Sequence, residues 1–194
     1  MQPASSTALT PWRTQYVARK DLFNFLGASF RLFDDQDQLV FFVKQKAFKL
    51  KEEITVFADE AQSQPRLHIR ARNIMDISAT YDVSETDGTV VGAIRRQGMK
   101  SIFRDTWLVL DTSGAEIAKI EEDSLLAALF RRFVTALLPQ TFGVTDASGK
   151  RVAEIKQRFT FFRLTYDVRL DGLDPRLGVA AAVLLLAIEG RQQG

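Results

Sequence analysis

The sequence DPRLGVAAAVLLLAIEG, residues 174–190, decides the fold. Asp174 and Pro175 form an N-cap and first-turn pair, and residues 177–188 contain no charged or strongly polar side chain. Twelve helical residues span about 18 Å, well short of the roughly 30 Å hydrocarbon core of a bilayer. A helix that is apolar on every face and too short to cross a membrane is buried in protein. Because its four alanines and one glycine keep it slim, we predict a helix at about residues 175–189 that runs through the middle of a β-barrel.

An internal repeat of β-hairpins precedes this helix. The stretch around Gly88 recurs around Gly149, and a shorter copy surrounds Gly114. Asp or Ser before each glycine supplies a turn that tolerates positive φ, and the apolar residues on both sides alternate with period two. The strand after the last hairpin alternates Phe162, Leu164, Tyr166, Val168 and Leu170 with Arg163, Thr165, Asp167 and Arg169. The hairpins together predict about ten to twelve strands in a closed barrel or a sandwich.

Residues 124–138 break the β pattern with four apolar residues at helical spacing, and Pro139 ends the run. They predict a surface amphipathic helix with Arg131 and Arg132 beside its apolar stripe. Such a helix either plugs one end of the barrel or meets an anionic membrane surface. The apolar residues are Leu125, Leu129, Phe133 and Leu137.

Composition narrows the possible functions. The 194 residues suit one domain, which we place at residues 13–190 after a disordered lead-in at residues 1–12. Because the chain has no cysteine, disulfides, thiol catalysis and thiolate metal sites are excluded, and a cytoplasmic location is expected. The N-terminus lacks the basic and apolar regions of a secretory signal. The net charge of +2 does not indicate nucleic-acid binding, and we expect a monomer without cofactors or a transmembrane span.

Several runs of sequence carry a family resemblance from about residue 14 to residue 190. They include YVARK at 16–20, FRDTW at 103–107, FRLTY at 162–166 and LDPR at 173–176. In their order along the chain they resemble the LURP-one-related proteins and, more distantly, the phospholipid scramblases of the tubby C-terminal-like superfamily.

The resemblance implies a twelve-stranded barrel around a central helix, with no established common catalytic activity. Tubby-like members bind phosphoinositide head groups through basic side chains, and scramblases move lipids between leaflets. This chain lacks the cysteine-rich palmitoylation segment of the scramblases, which weakens any expectation of membrane anchoring.

A cluster of basic residues is the candidate ligand site. Residues 66–104 contain seven Lys or Arg and four Asp or Glu. Arginine side chains suit phosphate geometry, so converging ones could hold an inositol phosphate or a lipid head group. The alternative is a solvated strand face with cross-strand ion pairs. The candidate residues are Arg70, Arg72, Arg95, Arg96, Lys100 and Arg104.

Three other features have simpler interpretations. The acidic run at residues 34–37 lacks the glycine and the terminal glutamate of a helix-loop-helix calcium site, so we interpret it as a solvated turn. His68 is the only histidine, which rules out a multi-histidine metal site and leaves a partly exposed strand residue or a lone acid–base group. The carboxylates at residues 121–123 fit favourable negative charge at the start of a helix.

These observations favour a non-enzymatic binding module that recognises an anionic lipid head group or a phosphoinositide at the membrane surface. A protein-interaction scaffold without lipid binding is the first alternative, and lipid scrambling is the second. Scrambling requires membrane insertion, which a twelve-residue helix cannot supply alone.

Overall fold

The computed structural model describes residues 11–21, 27–46, 53–72, 79–97, 106–123, 140–158 and 163–188. The strands in these residues are β1 (Gln15–Asp21), β2 (Gly27–Phe33), β3 (Leu39–Lys46), β4 (Glu53–Phe57), β5 (Pro65–Ala71), β6 (Thr80–Glu85), β7 (Val90–Gln97), β8 (Thr106–Leu110), β9 (Glu116–Glu122), β10 (Thr141–Asp146), β11 (Arg151–Arg158) and β12 (Arg163–Leu170), and the helix is α1 (Pro175–Ile188). The predicted amphipathic helix at residues 124–138 lies outside the described residues.

The twelve strands form one closed barrel. Each strand pairs with its neighbours along the chain, and β12 pairs with β1 from Gln15–Arg169 to Asp21–Arg163 to complete the circle. Every pairing is antiparallel. Because a closed sheet has no edge strand, its ladder of backbone hydrogen bonds is completed within the barrel. The predicted closed antiparallel barrel is confirmed.

Helix α1 occupies the interior of this barrel. The N–H of Arg176 donates to Asp174 Oδ1 at 2.9 Å, so Asp174 is the N-cap and Pro175 the first helical residue, as predicted. From Leu177 to Ala187 no side chain is more than 2 % exposed, although this run contains every face of the helix. The strands therefore surround α1, and the predicted central helix is confirmed.

The two ends of the barrel differ. Five short turns join β2 to β3, β4 to β5, β6 to β7, β8 to β9 and β10 to β11 at one end, which we call the turn end. Helix α1 follows β12 and so enters the barrel at the turn end. Its 14 residues, about 21 Å of helix, then run inside toward the opposite end, which we call the far end. Most residues of the other connections between strands lie outside the described residues.

The repeat in the sequence is a repeat of one turn geometry. In the turns at residues 85–89, 111–115 and 146–150, the N–H of the first residue donates to the carbonyl of the last at 2.9 Å. The glycine of each turn has φ between 85° and 88°, a conformation that glycine adopts without steric cost. In the turn at residues 34–38, Asp37 takes the same position with φ 59°. Each turn follows a shift of register in its hairpin, which is why the copies look alike in sequence.

An ion-pair network attaches the start of α1 to the barrel wall. Arg176 donates to Asp174 Oδ2 at 2.6 Å and to Glu85 Oε1 in the β6–β7 turn at 2.9 Å. Burial acts to raise the pKa of Asp174, but the hydrogen bonds from Arg176 outweigh it and the pKa is lowered. The same hydrogen bonds raise the pKa of Arg176. The network therefore ties the N-terminus of α1 to a hairpin 91 residues earlier in the chain.

Residues just before β1 pack against the barrel. Trp12, the last residue of the predicted lead-in, packs its ring 4.7 Å from that of Phe41. Tyr16 follows in β1, and its hydroxyl accepts a hydrogen bond from the Arg13 N–H at 2.7 Å. Burial raises the pKa of Tyr16 to about 12. The residues that directly precede β1 thus pack against the barrel.

Candidate ligand-binding surface

Four candidate cations lie in the described residues: Arg70 in β5, Arg72 directly after β5, and Arg95 and Arg96 in β7. Strands β5 and β7 flank β6. Ile69 and Ile94 are at most 1 % exposed and point into the barrel. Because side chains alternate along a strand, Arg70, Arg72 and Arg95 point outward. Arg70 and Arg95 lie in the halves of β5 and β7 nearer the far end, and Arg72 follows the end of β5. Only β6 separates the two strands.

Arg70 lies in a three-residue charge cluster. It faces Glu53 across β4 and β5 and donates to Glu53 Oε2 at 2.9 Å, while His68 Nδ1 lies 2.8 Å from Glu53 Oε1. The hydrogen bond from Arg70, helped by the nearby His68, lowers the pKa of Glu53. Arg70 is 69 % exposed, so its guanidinium remains open to solvent on the other side.

Arg72 is held by Asp82. Its Nε lies 2.8 and 2.9 Å from the two carboxylate oxygens, and its Nη2 lies 2.6 Å from Oδ1. The hydrogen bond to Asp82 raises the pKa of Arg72. Asp82 also lies directly opposite Arg70 in the β5–β6 pairing. One carboxylate therefore lies between two candidate arginines.

Arg95 and Arg96 point to opposite sides of the barrel wall. Arg95 lies opposite Thr80, whose carbonyl accepts the backbone N–H of Arg72. Among the described residues, no carboxylate pairs with Arg95. Arg96 faces inward, with its guanidinium 5.7 Å from the ring centroid of the buried Trp107. Of the four described candidates, Arg96 therefore points inward, whereas Arg70, Arg72 and Arg95 point outward.

Lys100 and Arg104, the remaining candidates, follow β7 in the chain and lie outside the described residues. The described surface is therefore a row of three outward arginines with two carboxylates among them. Exposed ion pairs contribute only about 0.2–1 kcal/mol each. A phosphate could displace Glu53 or Asp82 from an arginine at little cost, and Arg95 has no such partner to exchange.

The charge pairs on this face also limit its chemistry. Thr55 Oγ1 lies 3.3 Å from His68 Nδ1, the same nitrogen that contacts Glu53. A hydroxyl–histidine–carboxylate relay needs the hydroxyl and the carboxylate on opposite ring nitrogens. Such a relay is therefore not formed by Thr55, His68 and Glu53. His68 is a partly exposed strand residue, as the sequence predicts.

The acidic turn has a structural role. Asp34 is 6 % exposed, and its Oδ1 accepts the backbone N–H groups of Gln36 and Gln38 at 3.1 and 2.9 Å. Arg13 lies 3.3 Å from its other oxygen. These partners occupy the carboxylate. The interpretation as a turn stands, except that its first aspartate is buried rather than solvated.

The carboxylates at residues 121–123 lie at the end of β9. Glu121 and Glu122 are strand residues, and Asp123 pairs with Arg151 at 2.5 Å. The helix start that they were expected to precede lies outside the described residues. Sequence reasoning did not single out Glu53 and Asp82 as the partners of the candidate arginines. Their outward strand positions signal exposure, but the pairing requires the register.

A known family matches most of this chain. The model of the family described as LURP-one-related matches residues 39–186, most of the chain. The chain belongs to this family. No curated protein matches the LURP-one-related chain at a significant level. No helix among its described residues has the length and hydropathy needed to cross a bilayer.

Proposed function

We propose that this LURP-one-related protein is a non-enzymatic module that binds anionic lipid head groups or phosphoinositides. Arg70, Arg72, Arg95, Arg96, Lys100 and Arg104 would supply the positive charge. One observation carries the proposal: Arg70 and Arg72, in and just after β5, and Arg95 in β7 point outward on either side of β6, near the same end of the barrel. Resemblance to the tubby-like and scramblase-like proteins supports the same class of ligand.

The geometry assigns different roles to the arginines. Arg95 would contact the phosphate directly, since no carboxylate among the described residues competes for it. Thr80 lies between Arg95 and Arg72. Arg72 would exchange one of its hydrogen bonds to Asp82 for one to the ligand. Arg96 faces Trp107 and would contribute long-range attraction rather than a contact.

The test is flotation of the purified protein with vesicles that carry different anionic lipids, at low and physiological salt. Binding selective for a phosphoinositide that survives physiological salt is the expected result. The double variant Arg72→Gln and Arg95→Gln should weaken this binding about tenfold or more, because charge-assisted hydrogen bonds contribute roughly 1.5–3 kcal/mol. Arg169→Gln is the matched control, since Arg169 is also an exposed strand arginine but lies in β12 at the turn end.

Two results would lead to the alternatives. Equal binding by the double variant and the wild type would reject the arginine surface as the site. Absence of any salt-resistant lipid binding would favour the protein-interaction scaffold, to be checked by pull-down at ordinary salt. Lipid scrambling would need positive evidence from a leaflet-exchange assay in reconstituted vesicles.

A further inference from the structure

The only histidine of the chain lies on the candidate ligand-binding surface. His68 is in β5, two residues before Arg70, and its side chain is 32 % exposed. The chain has no cysteine, so His68 and the α-amino group are the only groups that ordinarily titrate between about pH 5.5 and 7.5. Within the described residues, a change of charge in this range is therefore a change at His68.

On the β4 side, His68 contacts a hydroxyl and a carboxylate. Thr55 lies opposite it, with Oγ1 3.3 Å from Nδ1, and Glu53 Oε1 lies 2.8 Å from the same nitrogen. In the part of the chain that the structure describes, no group bonds to Nε2, so this nitrogen can take up a proton without breaking a contact. The added positive charge would lie beside Glu53.

On the β6 side, the nearest carboxylates are already paired with arginines. Ser84 lies opposite His68, and Asp82, two residues away in β6, is held by Arg72 at 2.6 Å. Glu85, next to Ser84, is held by the first turn of α1 at 2.9 Å. Neither carboxylate forms an ion pair with His68. Glu53 on β4 is therefore the carboxylate that a charged His68 would affect.

Within β5, two arginines lie two residues from His68. The guanidinium of Arg66 lies 5.3 Å from the ring centroid of Trp12. Arg70 donates to Glu53 Oε2 at 2.9 Å, so Arg70 and His68 share one carboxylate. The hydrogen bond from Arg70 lowers the pKa of Glu53, which keeps this carboxylate ionised while a histidine titrates.

The charge of the surface is small enough for one proton to matter. Its three outward arginines and two carboxylates leave a net charge of +1 while His68 is neutral. Protonation of His68 doubles this charge. The imidazolium also competes with Arg70 for Glu53, and Arg70 is then freer to bind a phosphate group.

We infer that anionic head groups bind this surface more tightly at acidic than at neutral pH, because His68 gains a positive charge beside Glu53 and Arg70. This inference rests on the proposed function, since it concerns the regulation of the same lipid binding. A bound anion favours the protonated imidazole and the protonated imidazole favours the bound anion, because the coupling is reciprocal. Each cation near an anionic leaflet strengthens binding about fivefold.

Vesicle flotation at two pH values tests the inference. The probe is phosphatidylcholine vesicles that contain phosphatidylglycerol at low salt, because a phosphodiester keeps its charge in this range whereas a phosphomonoester gains a proton near about pH 6. The wild type should bind about fivefold more tightly at about pH 5.5 than at about pH 7.5. His68→Gln should lose this gain. Because His68→Gln retains the α-amino group, it also measures that group's contribution.

Two further variants separate the position of the charge from its amount. His68→Arg carries a permanent charge, so it should bind about fivefold more tightly than the wild type at the higher pH and gain little at the lower one. The control is Thr112→His combined with His68→Gln, which moves the histidine to the exposed β8–β9 turn at the turn end. This double variant should not recover the gain.

The failures are distinguishable. Equal pH dependence of the wild type and His68→Gln would overturn the inference, while the proposed lipid binding would stand. Full recovery by the Thr112→His double variant would also overturn it, because the net charge of the whole molecule would then explain the effect. Absence of binding to these vesicles at either pH would reject the inference, and the phosphoinositide flotation described above would decide separately on the proposed function.

Discussion

Replacing Gly178 with alanine should destabilise the protein, although alanine has a higher helix propensity than glycine. In α1 a Cβ at residue 178 would lie 2.4 Å from Leu170 Cδ2 and 2.7 Å from Cδ1. Carbon atoms in contact prefer about 3.5–4.0 Å, so the overlap exceeds about 1 Å. Leu170 is 2 % exposed and has no solvent to move into.

The magnitude follows from two opposing effects. Overpacking a filled core costs about 1–3 kcal/mol. Replacing glycine by alanine within a helix gains about 1 kcal/mol. With two side-chain atoms of Leu170 inside 3 Å, we expect overpacking near the upper limit and a net loss of about 1–2 kcal/mol for Gly178→Ala. For a chain of this size that loss lowers the Tm by about 2–8 °C.

The assay is urea unfolding followed by circular dichroism and by the fluorescence of the buried Trp107. A change of midpoint without a change of slope would report stability alone. Leu170→Ala by itself should cost about 2–5 kcal/mol. The double variant should cost less than the sum, since the smaller side chain at residue 170 leaves room for the new methyl group. A more stable Gly178→Ala protein, or strictly additive losses, would refute close packing of α1 against β12.

Three further predictions concern the turn end and the strands. In a double-mutant cycle, Arg176→Gln and Glu85→Gln should show a coupling free energy of about 0.5–1 kcal/mol, and this coupling should weaken in high salt. A coupling of zero would mean that the ion pair does not anchor α1. Gly92→Ala should cost more than about 3 kcal/mol in urea unfolding, because φ is +152° and the new Cβ would lie 2.3 Å from the Leu110 carbonyl oxygen; a near-wild-type midpoint would contradict the close approach of β7 to β8 at this residue. The Ser113 hydroxyl and three backbone N–H groups lower the pKa of Asp111, so its ionised carboxylate stabilises the fold at pH values above its usual pKa. The stability difference between wild type and Asp111→Asn, measured as urea midpoints, should therefore shrink as the pH falls from about 5 to 2. A pH-independent difference would show that the charge has no role.

Local patterns were sufficient to predict the turn hairpins and the central helix of this fold. The turn glycines at 88, 114 and 149 predicted hairpins because few other residues adopt positive φ there. The period-two pattern of β12 predicted its buried face correctly at Tyr166 and Val168. Thr165 is the exception: it lies on the outer face but is only 7 % exposed, which depends on its neighbours across strands and not on its own strand.

The candidate surface could be predicted only in part. The alternation around Ile69 correctly grouped Arg70 and Arg72 on one face. Arg95 and Arg96 are adjacent in sequence, and two adjacent residues of a strand cannot share a face. The set was grouped by residue type, and the structure places these two arginines on opposite faces of β7.

The sequence by itself determined the central helix and the hairpins, because each depends on residues close together in the chain: the uninterrupted apolar run at 177–188 and the turn glycines. The tertiary structure alone decided that Glu53 and Asp82 pair with the candidate arginines. Those arrangements depend on the register of twelve strands and on closure between β1 and β12. Register between distant strands is fixed by packing across the whole barrel, so it leaves no signal in any single stretch of sequence.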